Sequence, residues 1–273
     1  MGMNYEATVL EDITITANGR QLTFTGTHDT YLKWYSGWDA GIGSVYKAAK
    51  DIPQGSLCID AGANIGIMAI TFAVQRPDCY IIAIEPVPDN AECLRHNVKT
   101  NSIANVEVIE AAVSDRHGVL PMTNNGPWSS VWDGSPLQVR AIILDDFIDR
   151  KVAFVKIDTE GYEPHVFAGA RRLFAKYKPL IHVEFNTWFL LLHHYDPIEF
   201  AKAIWSSCEV LGMYHSENFL PPPADALGIV HDNITAHGSI TDLLLRPRSE
   251  IPELGAMIYA PETRALRRSL GHT

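Results

Sequence analysis

From Ser56 to about Glu184, short continuous apolar runs alternate with longer amphipathic stretches. An apolar run too short for a helix suits a strand buried on both faces, and such strands occur in parallel sheets whose connections cover both sides. The alternation commits the chain to an α/β fold with a doubly wound sheet. Strands are expected over 57–60, 80–85, 106–111, 154–158 and 180–184, with helices between most of them. One helix should start at Asp89, its carboxylate capping the first turn and Glu92 completing a capping box. Another should start at Asp196-Pro197-Ile198-Glu199, with proline at the first helical position, and run into Ala201, Ile204, Trp205 and Cys208.

Two stretches depart from the alternation. Residues 114–140, which contain NNGPWSSVWDG, read as turns and short strands, and connections of that length are often lids or binding loops. Residues 220–238, opened by the prolines 221–223, read as irregular before a last strand over 242–246. Ahead of the sheet, ITITANGRQLTFTG places two alternating runs about Asn18-Gly19, a pair suited to a type I′ turn. That hairpin sets Ile15 opposite Leu22, Ile13 opposite Phe24 and Thr14 opposite Thr23. An aromatic segment, YLKWYSGWDAGIGSVYKAAK, follows; its second half is helical and Gly37, Gly41 and Gly43 interrupt it. The organisation expected is a hairpin and helical cap over 1–54 packing on the core, the main domain over 55–250 and a tail over 251–273.

Twenty-two basic against 32 acidic residues give a formal charge of −10, which removes the broad attraction that nucleic-acid binding uses. The adjacent pair Arg171 and Arg172 reads as a solvated helix face. Cys58, Cys79, Cys93 and Cys208 contain no Cys-x-x-Cys pair and read as buried thiols of a reducing compartment. The start MGMNYEATVLEDITIT is neither basic nor continuously apolar, and no uncharged run of about 18 apolar residues occurs. The expectation is a soluble cytoplasmic protein with no membrane or nucleic-acid partner.

The strongest chemical signal is LCIDAGANIGIMAITFA: a strand ending in Asp60, a tight loop from Gly62 to Gly66, and an apolar helix beginning near Ile65. Ligands of open α/β sheets bind beyond the carboxyl ends of the strands, where this loop must lie. Gly62 lets backbone approach a ligand closely, and the amides of the next helix favour an anionic group. The strand IIAIEP ends in Glu85, placed to accept both hydroxyls of a ribose. The loop lacks the G-x-G-x-x-G arrangement that admits a pyrophosphate, which argues against a nicotinamide dehydrogenase. An adenosine bearing an amino acid fits better, with Asp60 meeting its ammonium and the helix start its carboxylate.

DAGANIG (60–66), the LDD of ILDDF (144–146) and VKIDTEGYE (155–163) resemble, in order and spacing, the motifs of the FkbM-type methyltransferase family across roughly residues 30 to 250. The resemblance implies a class I, Rossmann-like methyltransferase fold, S-adenosyl-L-methionine as methyl donor, and O-methylation in natural-product or glycan biosynthesis. By position, Asp60, Gly62, Asn64 and Gly66 resemble the first cofactor motif and Glu85 the ribose acid. Ala111, Ala112 and Ser114 stand where adenine would sit. An aromatic-glutamate pair common in the family is Trp38-Asp39 here, which leaves a role for Asp39 open.

Lys156 and Asp158 share one face of the fourth strand by alternation, as do His182 and Glu184 on the fifth, with Asn186 just beyond. Methyl transfer needs an aligned acceptor and a group that takes its proton, and Asp158, Glu160, His182 and Glu184 are the candidates, with Asp158 also beside the cofactor. The competing reading makes them scaffold, with Glu160 capping the helix after Gly161 and His182 a satisfied strand residue. Asp158, Glu184 and Asn186 also offer the oxygens Mg²⁺ prefers, but a metal-free site is the expectation. His193-His194 reads as a diverging, solvated pair. Trp34, Tyr35, Trp38, Trp128 and Trp132 read equally as acceptor pocket or packed core. The function expected is O-methylation of a small natural product or glycan; an N-methyltransferase for a small-molecule amine and a non-catalytic binder of the cofactor are the alternatives.

Overall fold

The computed structural model describes residues 10–27 and 30–248, so the expected tail over 251–273 and the start of the chain lie outside the described residues. A hairpin, β1 (Leu10–Ala17) and β2 (Arg20–Thr27), pairs in the register read from the sequence, with Ile15 opposite Leu22, and Asn18 and Gly19 both take positive φ. Two short helices follow, α1 (Thr30–Trp34) and α2 (Ser44–Ala49). The main run is β3 (Leu57–Ala61), α3 (Ile67–Gln75), β4 (Tyr80–Glu85), α4 (Pro88–Thr100) and β5 (Val106–Glu110). Around the excursion over 114–140, β6 (Ala112–Val113) just before it, β7 (Gly118–Met122) inside it and β8 (Leu137–Ile142) at its end form their own three-stranded sheet. Then come β9 (Val152–Ile157), α5 (Glu163–Ala168), α6 (Arg171–Tyr177), β10 (Leu180–Asn186), α7 (Thr187–Leu192) and α8 (Pro197–Ser207). The described chain closes with β11 (Cys208–His215), β12 (Asn218–Leu220), α9 (Ala226–Ala236) and β13 (Ile240–Pro247).

The large sheet runs β12-β11-β13-β10-β9-β3-β4-β5. From β5 through β10 it is parallel, and β13 inserts antiparallel between β10 and β11. Strand order reverses between β3 and β9, which opens a crevice at their carboxyl ends. Apolar clusters cover both faces, one holding Ile15, Leu22 and Phe24 of the hairpin with Ile67 and Ile70 of α3, the other holding Phe167, Phe174, Phe185 and Phe200. The fold is therefore the doubly wound sheet expected. No helix among the described residues is long and apolar enough to cross a membrane.

Several local expectations are corrected. The cap of α4 is Val87, not Asp89: Pro88 takes the first helical position, where its missing N–H costs nothing, and Asp89 falls inside the first turn and accepts from Asn124 at 3.2 Å. Helix α3 starts two residues later than Ile65, because Asn64 and Gly66 both hold positive φ before the backbone turns helical. The stretch over 220–238 contains α9, capped by Asp225, whose side chain accepts from the Gly228 amide. Cys208 begins β11 rather than ending α8, and the register shift between Val210 and Gly212 breaks the alternation that would have marked that strand. Cys93 is only half-buried, unlike the other three thiols. The Asp196 cap is as expected, accepting from the amides of Ile198 and Glu199.

Candidate active site

Alternation along neighbouring strands builds the floor of the crevice in rows. Asp60, Lys156 and His182 are register partners across β3, β9 and β10 and share one face. Lys156 Nζ lies 3.2 Å from Asp60 Oδ1 and 3.2 Å from Asp158 Oδ2. Burial works against the ammonium, yet the carboxylates of Asp158 and Asp60 hold its pKa above the usual lysine value. The next row begins with Asp158 and continues through Glu184, which stands directly opposite Asp242 of β13. Above these rows opens a cleft of about 700 Å³.

The loop after β3 forms one wall. A Cβ on Gly62 would lie 1.7 Å from the Asp158 carbonyl oxygen, so glycine is required there by the neighbouring strand end rather than by a ligand. The Asn64 amide donates to Glu85 Oε2 at 2.8 Å, and Glu85 Oε1 accepts from the Val87 amide at 3.0 Å and from Asn90 Nδ2 at 3.3 Å. Burial pushes the Glu85 carboxyl up to about 7 despite those donors. A carboxylate has about four acceptor positions, so Glu85 keeps one for a ligand.

The loop after β9 forms the opposite wall, and the residue that organises it escaped the sequence reading. Glu163 Oε1 accepts from the Thr159 amide at 2.8 Å, its hydroxyl at 2.9 Å and the Gly161 amide at 3.3 Å. The competing reading for Glu160, a cap on the helix after Gly161, is not seen: the N-cap of α5 is Tyr162, with no side-chain cap hydrogen bond. Glu160 instead holds φ +54° and lines the cleft, and its carboxyl is pushed up to about 9 by burial, then by Asp158 and Glu163. The signal for Glu163 was present as the final glutamate of KIDTEGYE, two residues beyond the glycine and first in α5.

The candidates from the sequence separate into two groups. Gly62, Asn64, Glu85, Ala111, Ala112, Asp158, Glu160, His182 and Glu184 line one cleft, together with Asn186. Asp60, Gly66 and Ser114 do not. Asp60, in the floor row, is buried and turned to Lys156 rather than into the cleft. Gly66 packs on Leu94, where a Cβ would come within 2.2 Å of the leucine methyl. Ser114 is fully buried and donates to Asp115 at 3.0 Å, with its carbonyl against Gly169. The LDD segment lies apart from the cleft as well: Asp145 accepts from the amides of Leu173 and Arg172 and so holds the start of α6.

His193 is not solvated as expected. It packs edge-on to Trp132, its Nε2 lies 3.1 Å from the Glu160 carbonyl, and burial pulls its pKa down to about 4, while His194 is exposed. Trp34, Tyr35, Trp38 and Trp128 line the cleft; Trp34 and Trp128 are exposed at its rim, whereas Tyr35 and Trp38 also pack against the apolar core. Asp242, Glu217, His215 and His237 complete the far wall and were not singled out beforehand. Glu217 accepts from Trp38 Nε1 at 3.2 Å, tying that wall to the N-terminal cap.

The lining contains the carboxyls of Glu85, Asp158, Glu160, Glu184, Glu217 and Asp242 and, among the described residues, one lysine. Glu184 Oε2, His182 Nε2 and Glu217 Oε2 are buried without a hydrogen-bond partner among those residues. Burial pulls His182 down to about 3, so it carries no charge at neutral pH to offset the acids. An excess of buried acids with unsatisfied polar atoms fits a ligand of net positive charge that donates hydrogen bonds. S-adenosyl-L-methionine, with a sulfonium, an ammonium and one carboxylate, is such a ligand.

Comparison with known proteins bears on the same residues. The model of the methyltransferase FkbM domain matches residues 60–208, more than half of the chain. Methyltransferase sdnD of Sordaria araneosa is 31% identical over 74 residues, 27% of this chain and 29% of that protein. Methyltransferase 1 of Beauveria bassiana is 23% identical over 147 residues, 43% of this chain and 59% of that one. The chain thus spans well under two thirds of these relatives' length. The crystal structure of methyltransferase FkbM from Methylobacillus flagellatus superposes with a TM-score of 0.44 at 18% identity, covering 69% of this chain and 43% of that one. With the matched segment running from the loop after β3 through the strand ends that floor the cleft, the chain belongs to the FkbM methyltransferase family, whose cofactor is S-adenosyl-L-methionine.

Proposed function

We propose that the chain catalyses O-methylation of a hydroxyl on a small natural product or glycan, without a metal. The observation that supports this most is the cluster of Asp158, Glu160 and Glu184 at the ends of β9 and β10, facing a cleft walled by tryptophans. When bound, the cofactor supplies an electrophilic methyl group on sulfur. Glu85 would hold the ribose, the loop over 62–65 the amino-acid portion, and Ala111 and Ala112 would flank adenine.

The chain's own groups supply the rest of the chemistry. A hydroxyl must lose its proton as its oxygen is alkylated, and a positioned carboxylate can take it. The buried acids are held protonated by burial and by one another, and a cationic ligand beside them lowers their pKa values toward the ionised form. Binding of the donor thereby prepares the base. The rings of Trp34, Trp38 and Trp128 offer flat apolar faces on which a sugar or polyketide can lie.

The test is incubation with methyl-labelled S-adenosyl-L-methionine, excess chelator and a panel of hydroxylated small molecules and glycans beside matched amines. Label on a hydroxyl oxygen is the expected outcome. Label only on amines would make the chain an N-methyltransferase, and binding of the cofactor with no transfer to either panel would leave a non-catalytic binder.

A further inference from the structure

Asp242 belongs to no recognised motif of the chain, yet it occupies a central place in the cleft. In the antiparallel pairing of β10 with β13 it stands directly opposite Glu184, and directly opposed residues on one face hold their Cβ atoms about 4.5–5.5 Å apart. Both carboxyls line the cleft. Glu184 Oε2 is buried with no hydrogen-bond partner among the described residues, and His182 Nε2, also without one, lies 3.7 Å from Asp242 Oδ2. Lys156 is the one lysine near them, and its ammonium is already engaged by Asp60 and Asp158. We infer that Glu184 and Asp242 share one proton as a carboxyl–carboxylate pair and that this pair is the group that takes the acceptor's proton. The inference rests on the methyltransferase reading above and names the base within it.

Two carboxyls on directly opposed residues that line one cleft, with Glu184 Oε2 buried and unpartnered among the described residues, do not both ionise easily, so one proton is retained between them. The surrounding charges act in the same direction. Asp158 and Glu160 from the loop after β9, and Glu163 at the start of α5, face Glu184; Asp158 and Glu217 face Asp242; among the described residues Lys156 alone opposes them, and His182 is neutral. Burial and these neighbours raise Glu184 well above an ordinary glutamate and bring Asp242 to about 7. In the transfer, the acceptor O–H bond breaks while its oxygen bonds the methyl carbon. The electrons of the sulfur–carbon bond stay on sulfur, and the proton passes to the ionised oxygen of the pair. Asp242, 28% exposed at the side chain, faces the cleft and returns that proton to solvent.

The experiment is a carboxyl-carbon NMR titration of the cofactor-free protein, wild type beside Asp242→Asn and Glu184→Gln, with folding of each checked by its melting curve. Sharing is reciprocal, so Asp242→Asn should lower the Glu184 midpoint, and Glu184→Gln the Asp242 midpoint, each by about one pH unit or more. Midpoints that do not respond to loss of the partner overturn the pair. If one variant fails to fold, the other still reads the coupling. A second measurement links the pair to the chemistry: calorimetry in buffers of different ionisation enthalpy, comparing S-adenosyl-L-methionine with S-adenosylhomocysteine, which lacks the sulfonium charge. More protons should leave the wild type with the sulfonium ligand, and that excess should fall by about half or more in either variant. An excess unchanged in both variants overturns the assignment as base. Failure of both ligands to bind would instead overturn the methyltransferase reading, while the titration still decides the pairing.

Discussion

Glu160 and Glu163 are three residues apart and do different work, which makes the loop after β9 a place where single substitutions separate scaffold from chemistry. Glu163 gathers three donors and fixes the loop, whereas Glu160 lines the cleft with Asp158 beside it. Glu160→Gln and Asp158→Asn keep size and shape, so both variants should hold the wild-type fold and lose turnover by about 10²-fold, the scale of a misplaced acceptor, because these groups position the acceptor beside the Glu184–Asp242 pair. Melting temperature and single-turnover rate measured on the same samples check this. Normal rates in both would end the claim that this loop serves the reaction. At this scale the sequence revealed most of the residues that line the cleft, but not that Asp60, Gly66 and Ser114 lie off it, that Asp242, Glu217, His215 and His237 line it, or which groups are already occupied. Asp60 was expected to meet the ligand, and the register of β3 with β9 turns it to Lys156 instead; Glu160 and Glu163 could not be told apart without the loop's backbone.

Elements whose signals are local were legible, and those defined by distant partners were not. The hairpin register follows from Asn18-Gly19 and period-two alternation, and the cap of α8 from Asp196-Pro197. By contrast α9 hid behind three prolines, and the bulge at Gly212 masked β11. Nothing in the sequence announced how the open edge of β2 is closed. Asn97 of α4 and Asn101, its C-cap one turn on, act as a substitute strand: Asn97 accepts from the Thr25 amide at 2.8 Å and donates to its carbonyl at 3.0 Å, and Asn101 does the same for Thr23 at 2.9 and 2.7 Å. Polar residues at helical spacing look like a solvated face, yet both are buried. Asn97→Ala strands the amide and carbonyl of half-buried Thr25 and the buried Ile65 carbonyl, at a cost of about 1–3 kcal/mol for such groups. The midpoint of urea unfolding should fall accordingly, and the Thr25 amide should exchange faster with solvent. Unchanged exchange would show that α4 does not secure the hairpin.

Taken as a whole, the molecule concentrates raised carboxyl pKa values around one crevice, and that has a consequence for stability. Glu85, Glu163 and Asp242 rise to about 7 and Glu160 to about 9, each with burial as the largest cause. A carboxyl with a folded-state pKa above its unfolded value keeps its proton longer in the native state, so the stability it contributes at low pH is lost as pH rises through the folded value. His182 and His193, lowered to about 3 and 4, act oppositely, but only below the ordinary histidine value of 6.5. Above that value the acids alone remain, so the cofactor-free protein should lose thermal stability from about pH 6.5 to 8. A cationic ligand that ionises the acids should recover it, and the rise in melting temperature on adding S-adenosyl-L-methionine should grow over the same interval. A flat profile would mean that these carboxyls titrate as ordinary surface groups.

All of this rests on the crevice being the cofactor site, with Glu85 as its ribose ligand. The most direct measurement is calorimetric titration of the wild type and of Glu85→Ala with S-adenosyl-L-methionine, and of the wild type with NAD. The wild type should bind S-adenosyl-L-methionine, and Glu85→Ala should bind it roughly ten- to a hundredfold more weakly, the loss corresponding to about 1.5–3 kcal/mol for a hydrogen bond to a charged group. No binding by the wild type, or tighter binding of NAD than of S-adenosyl-L-methionine, would contradict the account.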